Sequence, residues 1–486
     1  MAILGRNAHV LVFPFPALGH MIPLLDLTHY LATASDLTIT ILVTPKNLPL
    51  LTQLLSSHPQ INTLVLPFPP HPSIPSHVEN FKDLPQCCCP ALIHALGQLY
   101  HPLFSWFESH PSPPSAIVSD MLLGWTQRLA SRLGIKRIVF SPSGAMALSV
   151  LYSLWLDLPK LDDPQDQMAV ISFDKIPKCP KYPWWKLSPT FGACVGGDPA
   201  GEFTKDGLVA NVKSWGLIIN SFAELEGPYF DHLKKVMGSD HVWAVGPLHP
   251  FHVNNSSSLT CPVRRGGPSS ISVDGLLTWL DTCEDGEVVY VCFGSQVVLT
   301  NDQMAAVASA LEKSGVRFIW CVKEPTEGHV EGRYGMIPNG FEDRAASRGY
   351  VIRGWAPQIG ILGHRAVGAF LTHCGWNSVL EAVVAGVTML TWPFGADQFV
   401  DDSLLVDELR VAKRACEGAE TVPNSDELAR VVAESVSNKN SVEREGVMQL
   451  RKAAVEAIKE GGSSAKDLEE LVKHLCSTEL DANSDM

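Results

Sequence analysis

Gly368-Ala369-Phe370-Leu371-Thr372-His373-Cys374-Gly375-Trp376-Asn377-Ser378 reads as an apolar strand, a tight turn and the start of a helix that continues through Leu380 to Val384. Gly375 allows close backbone approach in the turn. A helix beginning there offers unpaired N–H groups and the positive end of its dipole, which suits a diphosphate. His373, Asn377 and Ser378 add side-chain donors. Glu381 follows Asn377 by one turn on the same face, where a carboxylate can accept from ribose hydroxyls. Taken alone, the helix start is equally consistent with a satisfied cap and no ligand.

The same alternation of short apolar run and helical pattern extends in both directions, which is the signature of parallel βαβ units. Towards the N-terminus it predicts strands at His9–Phe13, Leu37–Val43, Asn62–Leu66, Ala116–Ser119 and Lys136–Phe140, with a helix from Met21 to Ala34. Around the opening segment it predicts strands at Val288–Phe293, Arg317–Val322, Tyr350–Arg353, Gly368–Thr372 and Thr388–Thr391. Between the two sets lies a polar run of Asn, Ser, Gly, Pro and Arg that reads as an interdomain linker over 251–272. The fold class is therefore α/β, with two doubly wound, Rossmann-like domains over 1–250 and 273–455. In such sheets ligands bind beyond the carboxyl ends of the strands, so two facing sheets would share one interdomain cleft. Leu158–Gly201 is rich in Pro, Gly and Trp, and reads as a long irregular excursion of the functional kind. Two helices, Val442–Lys459 and Ser464–Leu475, close the chain ahead of an acidic, frayed tail after Thr478.

Bulk properties exclude several classes. At 486 residues the chain exceeds one hydrophobic core. Its 46% apolar and 18% charged residues are ordinary globular composition. A formal charge of −14 would repel a polyphosphate strand, so nucleic acid is not expected as a partner. No apolar stretch is long enough to span a bilayer, and Pro14 and Pro16 break the first one too early for a signal peptide. A cytoplasmic location follows. The twelve cysteines form no CxxC pair and read as mostly reduced, buried small hydrophobes. The sequon at Asn254-Asn255-Ser256 is accidental on this reading. No His, Cys or acidic cluster has metal spacing, so no metal is expected. No G-x-G-x-x-G follows any strand, which disfavours a nicotinamide oxidoreductase.

Several segments carry a resemblance. Trp355-Ala356-Pro357-Gln358, His373 to Ser378, Glu381, and Trp392-Pro393 through Asp397-Gln398 resemble the signature box of plant small-molecule UDP-glycosyltransferases, and span the family's usual box of about 44 residues at matching positions. Pro14-Phe15-Pro16-Ala17-Leu18-Gly19-His20 resembles the family's N-terminal catalytic loop, and Asp120 with Met121 to Thr126 resembles its partner aspartate. The likeness covers nearly the whole chain, strongest over 287–415 and thinnest over 155–210. Leu18 departs from it, since the family typically carries Gln there. Finer similarity, at Leu42 to Pro49 and Phe399 to Ser403, is to a branch acting on flavonols and hydroxybenzoates.

The resemblance implies a GT-B fold whose N-terminal domain binds the acceptor and whose C-terminal domain binds the UDP-sugar, with 456–486 packing back on the N-terminal domain. It implies that Trp355, beside Ala356, stacks on uracil, and that Gln358 and Glu381 hold the ribose. Ser295, His373, Gly375, Asn377 and Ser378 would hold the phosphates, while Trp376, Asp397 and Gln398 would contact the sugar. Glutamine at the last box position tends to accompany glucose; rhamnose and galactose remain alternatives. His20 would be the general base, oriented by Asp120, in a single inverting displacement onto a hydroxyl or carboxyl. Acceptor walls are expected from Phe15, Trp125, Phe140, Ser143, Trp184 and Phe191. No cofactor beyond the UDP-sugar co-substrate is implied, and the protein is expected to be monomeric. A non-catalytic UDP-sugar binder is the other reading, and the presence of both His20 and Asp120 argues against it.

Overall fold

The computed structural model describes residues 8–163, 165–194, 197–248, 252–253, 259–260, 270–326, 332–438 and 440–477. Most of the expected linker over 251–272, the sequon at Asn254 and the tail after residue 477 lie outside them. The chain divides into two units, Met1–Leu248 with Ala457–Met486, and His249–Glu456.

Seven strands build the sheet of the first unit: His9–Phe13 (β1), Thr38–Val43 (β2), Asn62–Val65 (β3), Ala116–Asp120 (β4), Lys136–Ser141 (β5), Gly216–Ile219 (β6) and Val242–Ala244 (β7). Their order is β3-β2-β1-β4-β5-β6-β7, with every neighbouring pair parallel. Alternation along each strand splits the core into two layers. Val10, Val12, Val118, Ile138 and Phe140 pack on one face, and Leu11, Phe13, Leu42 and Ile117 on the other. Sheets covered on both faces need such continuous apolar strands. Each buried Val, Ile or Leu contributes about 1.5–3 kcal/mol.

The second unit repeats the plan with six strands: Val288–Cys292 (β8), Arg317–Val322 (β9), Gly349–Arg353 (β10), Val367–Thr372 (β11), Thr388–Thr391 (β12) and Ala412–Arg414 (β13). Their order, β10-β9-β8-β11-β12-β13, is again wholly parallel. Strand order therefore reverses between β1 and β4 in one unit, and between β8 and β11 in the other. These are the switch points where open α/β sheets bind ligands.

The first helix begins at Leu18, three residues before the predicted start, and carries His20 on its first turn. The excursion over 158–201 is more regular than its composition suggests. Val170–Ser172 pairs antiparallel with Lys181–Pro183, and a helix follows at Pro189–Cys194. Another helix starts at Pro199, where the Asp198 side chain accepts from the N–H groups of Ala200 and Gly201. The last helix, Ser463–Cys476, places Leu471 and Leu475 in the Val10 layer of the first unit. There Asp467 Oδ2 accepts from the Ala244 N–H at 2.7 Å. Only five of the eleven described cysteines are buried, fewer than expected; Cys87, Cys179 and Cys476 are exposed. No helix among the described residues is long and apolar enough to cross a membrane.

Candidate active site

In the first unit, β1 runs into the turn that launches the first helix, and β4 ends at Asp120. The two lie on either side of the switch point, which brings His20 and Asp120 together. His20 Nδ1 donates to Asp120 Oδ2 at 2.8 Å. The imidazole is 22% exposed and the carboxylate fully buried. Since the carboxylate can only accept, the proton of a neutral imidazole sits on Nδ1 and its lone pair on Nε2. Asp120 also caps the short turn Met121–Leu123, its Oδ1 accepting from the Leu122 N–H at 2.9 Å. One carboxylate thus bonds both the His20 ring and the turn that follows β4. Phe15 packs edge-on against the imidazole, ring centroids 5.5 Å apart.

Arg137, which the sequence reading did not single out, braces this end of β4 from β5. Its buried guanidinium donates to Ser119 Oγ (3.0 Å), Asn211 Oδ1 (2.7 Å), Ser214 Oγ (2.8 Å) and the Asp120 carbonyl (3.4 Å). Burial pulls its pKa down to about 10, which leaves it charged at neutral pH. Two adjacent cations, Lys136 and Arg137, leading an apolar run were the available signal.

Five of the six side chains expected as acceptor walls are buried. Phe15 and Phe140 are fully buried and Trp125 nearly so, each sealed in a core layer by neighbouring strands and helices. Ser143 is buried too, its N–H and carbonyl both bonded to the Ser141 hydroxyl. Phe191 is buried between Trp155 and Trp184, with centroids 5.1 and 5.7 Å away. Trp184 alone of the six retains a partly exposed side chain.

In the second unit, the turn after β11 and the loop after β8 meet at the other switch point. His373 is wedged between two glycines: a Cβ on Gly294 would stand 2.5 Å from His373 Nε2, and one on Gly375 would collide with the same atom. The turn's left-handed residue is Cys374, at φ +66°, rather than a glycine. The helix Trp376–Ala385 then starts with no side-chain cap. Its first N–H groups meet the requirement for an anion site. Desolvation lowers the His373 pKa to about 4, so its ring is neutral at physiological pH. Ser295 follows Gly294 and is partly exposed, as are Trp355 and Asn377.

Gln358 opens the short helix Gln358–Leu362 and joins the box into one network. Its Nε2 donates to Glu381 Oε2 at 2.8 Å and to Ser378 Oγ at 2.9 Å. Its Oε1 accepts from the Tyr290 hydroxyl at 3.1 Å. Trp376, Ser378 and Glu381 are buried, whereas Asp397 and Gln398 are partly exposed. Gln398 Oε1 accepts from the N–H groups of Phe394 and Gly395, at 2.9 and 3.2 Å, and so shapes the loop it ends.

Residues 276–453, which contain this whole network, match the family described as UDP-glucoronosyl and UDP-glucosyl transferase. A flavonol 3-O-glucosyltransferase of Arabidopsis thaliana is 58% identical over 476 residues, covering 98% of this chain and 97% of that one. The chain belongs to the UDP-glycosyltransferases. A second relative of this glycosyltransferase, the flavonol 7-O-rhamnosyltransferase of Arabidopsis thaliana, is 42% identical, with 97% of this chain and 98% of that one covered. Among solved structures, Arabidopsis thaliana UGT89C1 complexed with UDP-L-rhamnose superposes with a TM-score of 0.80 at 41% identity, covering 97% of this chain and all of that one. The same relative complexed with quercetin gives a TM-score of 0.77 at 40% identity and the same coverage. The fold of this UDP-glycosyltransferase is accordingly of the GT-B type, with two Rossmann-like domains.

Proposed function

We propose that this glycosyltransferase moves glucose from UDP-glucose to a hydroxyl of a flavonol or a similar small aromatic acceptor, with inversion at the anomeric carbon. The observation that carries the reading is the 2.8 Å bond from His20 Nδ1 to the buried Asp120 carboxylate, beside a strand-end switch point. Nε2 of His20 takes the acceptor proton as the acceptor oxygen attacks the anomeric carbon. Asp120 holds the tautomer and stabilises the imidazolium that forms. UDP leaves with its growing charge on the uncapped N–H groups of the helix from Trp376, assisted by Asn377, Ser378, Ser295 and neutral His373. Trp355 and Ala356 take the uracil, Gln358 and Glu381 the ribose, and Trp376, Asp397 and Gln398 the sugar.

Flavonol is favoured as acceptor by the 58% identical flavonol 3-O-glucosyltransferase and by the quercetin complex of UGT89C1. The same glucosyltransferase and Gln398 favour glucose. Rhamnose is the second reading, favoured by the 42% identical rhamnosyltransferase and the UDP-L-rhamnose complex. Mass spectrometry of products from UDP-glucose, UDP-rhamnose and UDP-galactose, each offered with flavonols, hydroxybenzoates and terpenoid alcohols, tests both choices. A flavonol hexoside formed fastest from UDP-glucose is expected. Transfer only from UDP-rhamnose would overturn the sugar, and transfer only to terpenoid alcohols the acceptor.

A further inference from the structure

Gln358 is a flexible amide, and only one of its two flipped orientations presents a donor to Glu381. Glu381, which can only accept, selects that orientation, and a donor facing the amide oxygen from the other side would hold it there. Nothing in the sequence of Tyr290 distinguishes it from a core aromatic, because it lies mid-strand in the apolar run Val288–Cys292. The structure gives that burial a polar end. Tyr290 is fully buried, and its ring stacks on Phe370, the residue paired with it across β8 and β11, at 4.9 Å and 18°. Held there, its hydroxyl meets Gln358 Oε1 at 3.1 Å. The flipped amide would turn its NH2 towards the phenol and its carbonyl towards Glu381, setting an oxygen against a carboxylate. Desolvation raises the Tyr290 pKa well above its usual value, so the phenol remains a donor throughout the working range. Cys292, two residues along on the same strand face, borders the same hydroxyl.

We infer that Tyr290 is a positioning residue for the donor nucleotide: its hydroxyl locks the Gln358 carboxamide in the orientation that ties Nε2 to Glu381 and Ser378, and so pre-sets the ribose-binding pair. The inference rests on the proposed role of Gln358 and Glu381 as ribose ligands. A phenol below the sheet end thereby sets the ribose contacts without touching the substrate. Its effect is confined to donor affinity, because no reacting atom is involved.

Tyr290→Phe removes one oxygen and keeps the stack on Phe370, so the variant retains its fold, checked by an unchanged melting temperature. Calorimetric binding of UDP and of 2′-deoxy-UDP is compared in the wild type, Tyr290→Phe, Gln358→Ala and the double variant. Loss of one hydrogen bond is expected to weaken UDP binding by about three- to tenfold in Tyr290→Phe. It should narrow the preference for UDP over 2′-deoxy-UDP and raise KM for the UDP-sugar, with kcat held within about twofold. Added to Gln358→Ala it should cost almost nothing, which assigns the effect to the amide rather than to Cys292. An unchanged UDP to 2′-deoxy-UDP ratio in Tyr290→Phe, or full additivity with Gln358→Ala, overturns the positioning role. If Gln358→Ala itself leaves both nucleotides bound as before, the ribose assignment falls, and Tyr290 with it.

Discussion

Gly294 and His373 are in backbone-to-ring contact so close that even a methyl group does not fit between them. A Cβ at Gly294 would lie 2.5 Å from His373 Nε2, and the backbone there sits at φ +75°. Glycine is therefore required twice over, for space and for conformation. Gly294→Ala should displace the imidazole or the loop carrying Ser295. The strain is on the order of 1–3 kcal/mol, enough to weaken UDP binding tenfold or more. Calorimetric titration with UDP checks it.

The same imidazole makes stability depend on pH. Its folded pKa is about 4, against 6.5 for an unperturbed ring. As pH falls below 6.5 the unfolded chain takes up a proton that the folded ring refuses until about pH 4. The unfolded state then binds more protons, so stability falls across that window. The loss is up to about 3 kcal/mol, less for whatever solvent reaches the ring. Urea unfolding at pH 7.5, 6 and 5 should show this slope in the wild type and a flatter one in His373→Gln.

Asp120 makes two bonds that one substitution separates. Asparagine keeps an oxygen for the Leu122 N–H, so the cap and the fold survive. With that oxygen used, the amide NH2 faces His20 Nδ1 and cannot accept its N–H, and a neutral amide does not stabilise an imidazolium as a carboxylate does. Asp120→Asn should lower kcat by about a hundredfold or more while leaving the melting temperature nearly unchanged. Steady-state rates and a thermal melt on the same preparation decide it.

Much of this was legible in the sequence, for a physical reason. Strands buried on both faces are unbroken apolar runs, so His9–Phe13, Arg317–Val322 and Thr388–Thr391 are found with the boundaries predicted for them. Gly216–Ile219 escaped notice, and so did Val242–Ala244 and Ala412–Arg414, whose three residues make too short a run. The last of these also carries two cations. Phe140 and Trp125 were read as pocket walls and are buried in core layers, because composition marks an aromatic side chain but not the face it occupies. Tyr290 was invisible for the converse reason: its polar contact lies 68 residues away, at Gln358. Cys374 taught a different lesson. The left-handed φ falls on it, which nothing in the sequence marked, while Gly375 is needed, as read, for close approach, its missing Cβ leaving room for His373.

Two substitutions at Gln398 separate its loop bonds from its proposed sugar contact. Its Oε1 accepts the N–H groups of Phe394 and Gly395. Gln398→Glu keeps that acceptor and loses the NH2, so the loop should stay folded while kcat/KM with UDP-glucose drops about tenfold. Gln398→His loses the acceptor as well, and both melting temperature and glucose transfer should fall. Unchanged donor preference in both variants would remove the residue from sugar recognition.

The central claim is that His20 takes the acceptor proton while the nucleotide is held independently by residues of the second unit. Replacing His20 with alanine and measuring two quantities on one sample tests it most directly: turnover of a flavonol with UDP-glucose, and calorimetric affinity for UDP. Transfer should drop at least a hundredfold, with UDP affinity within about twofold of the wild type. Turnover equal to wild type, or a matching collapse of UDP binding, would contradict the assignment.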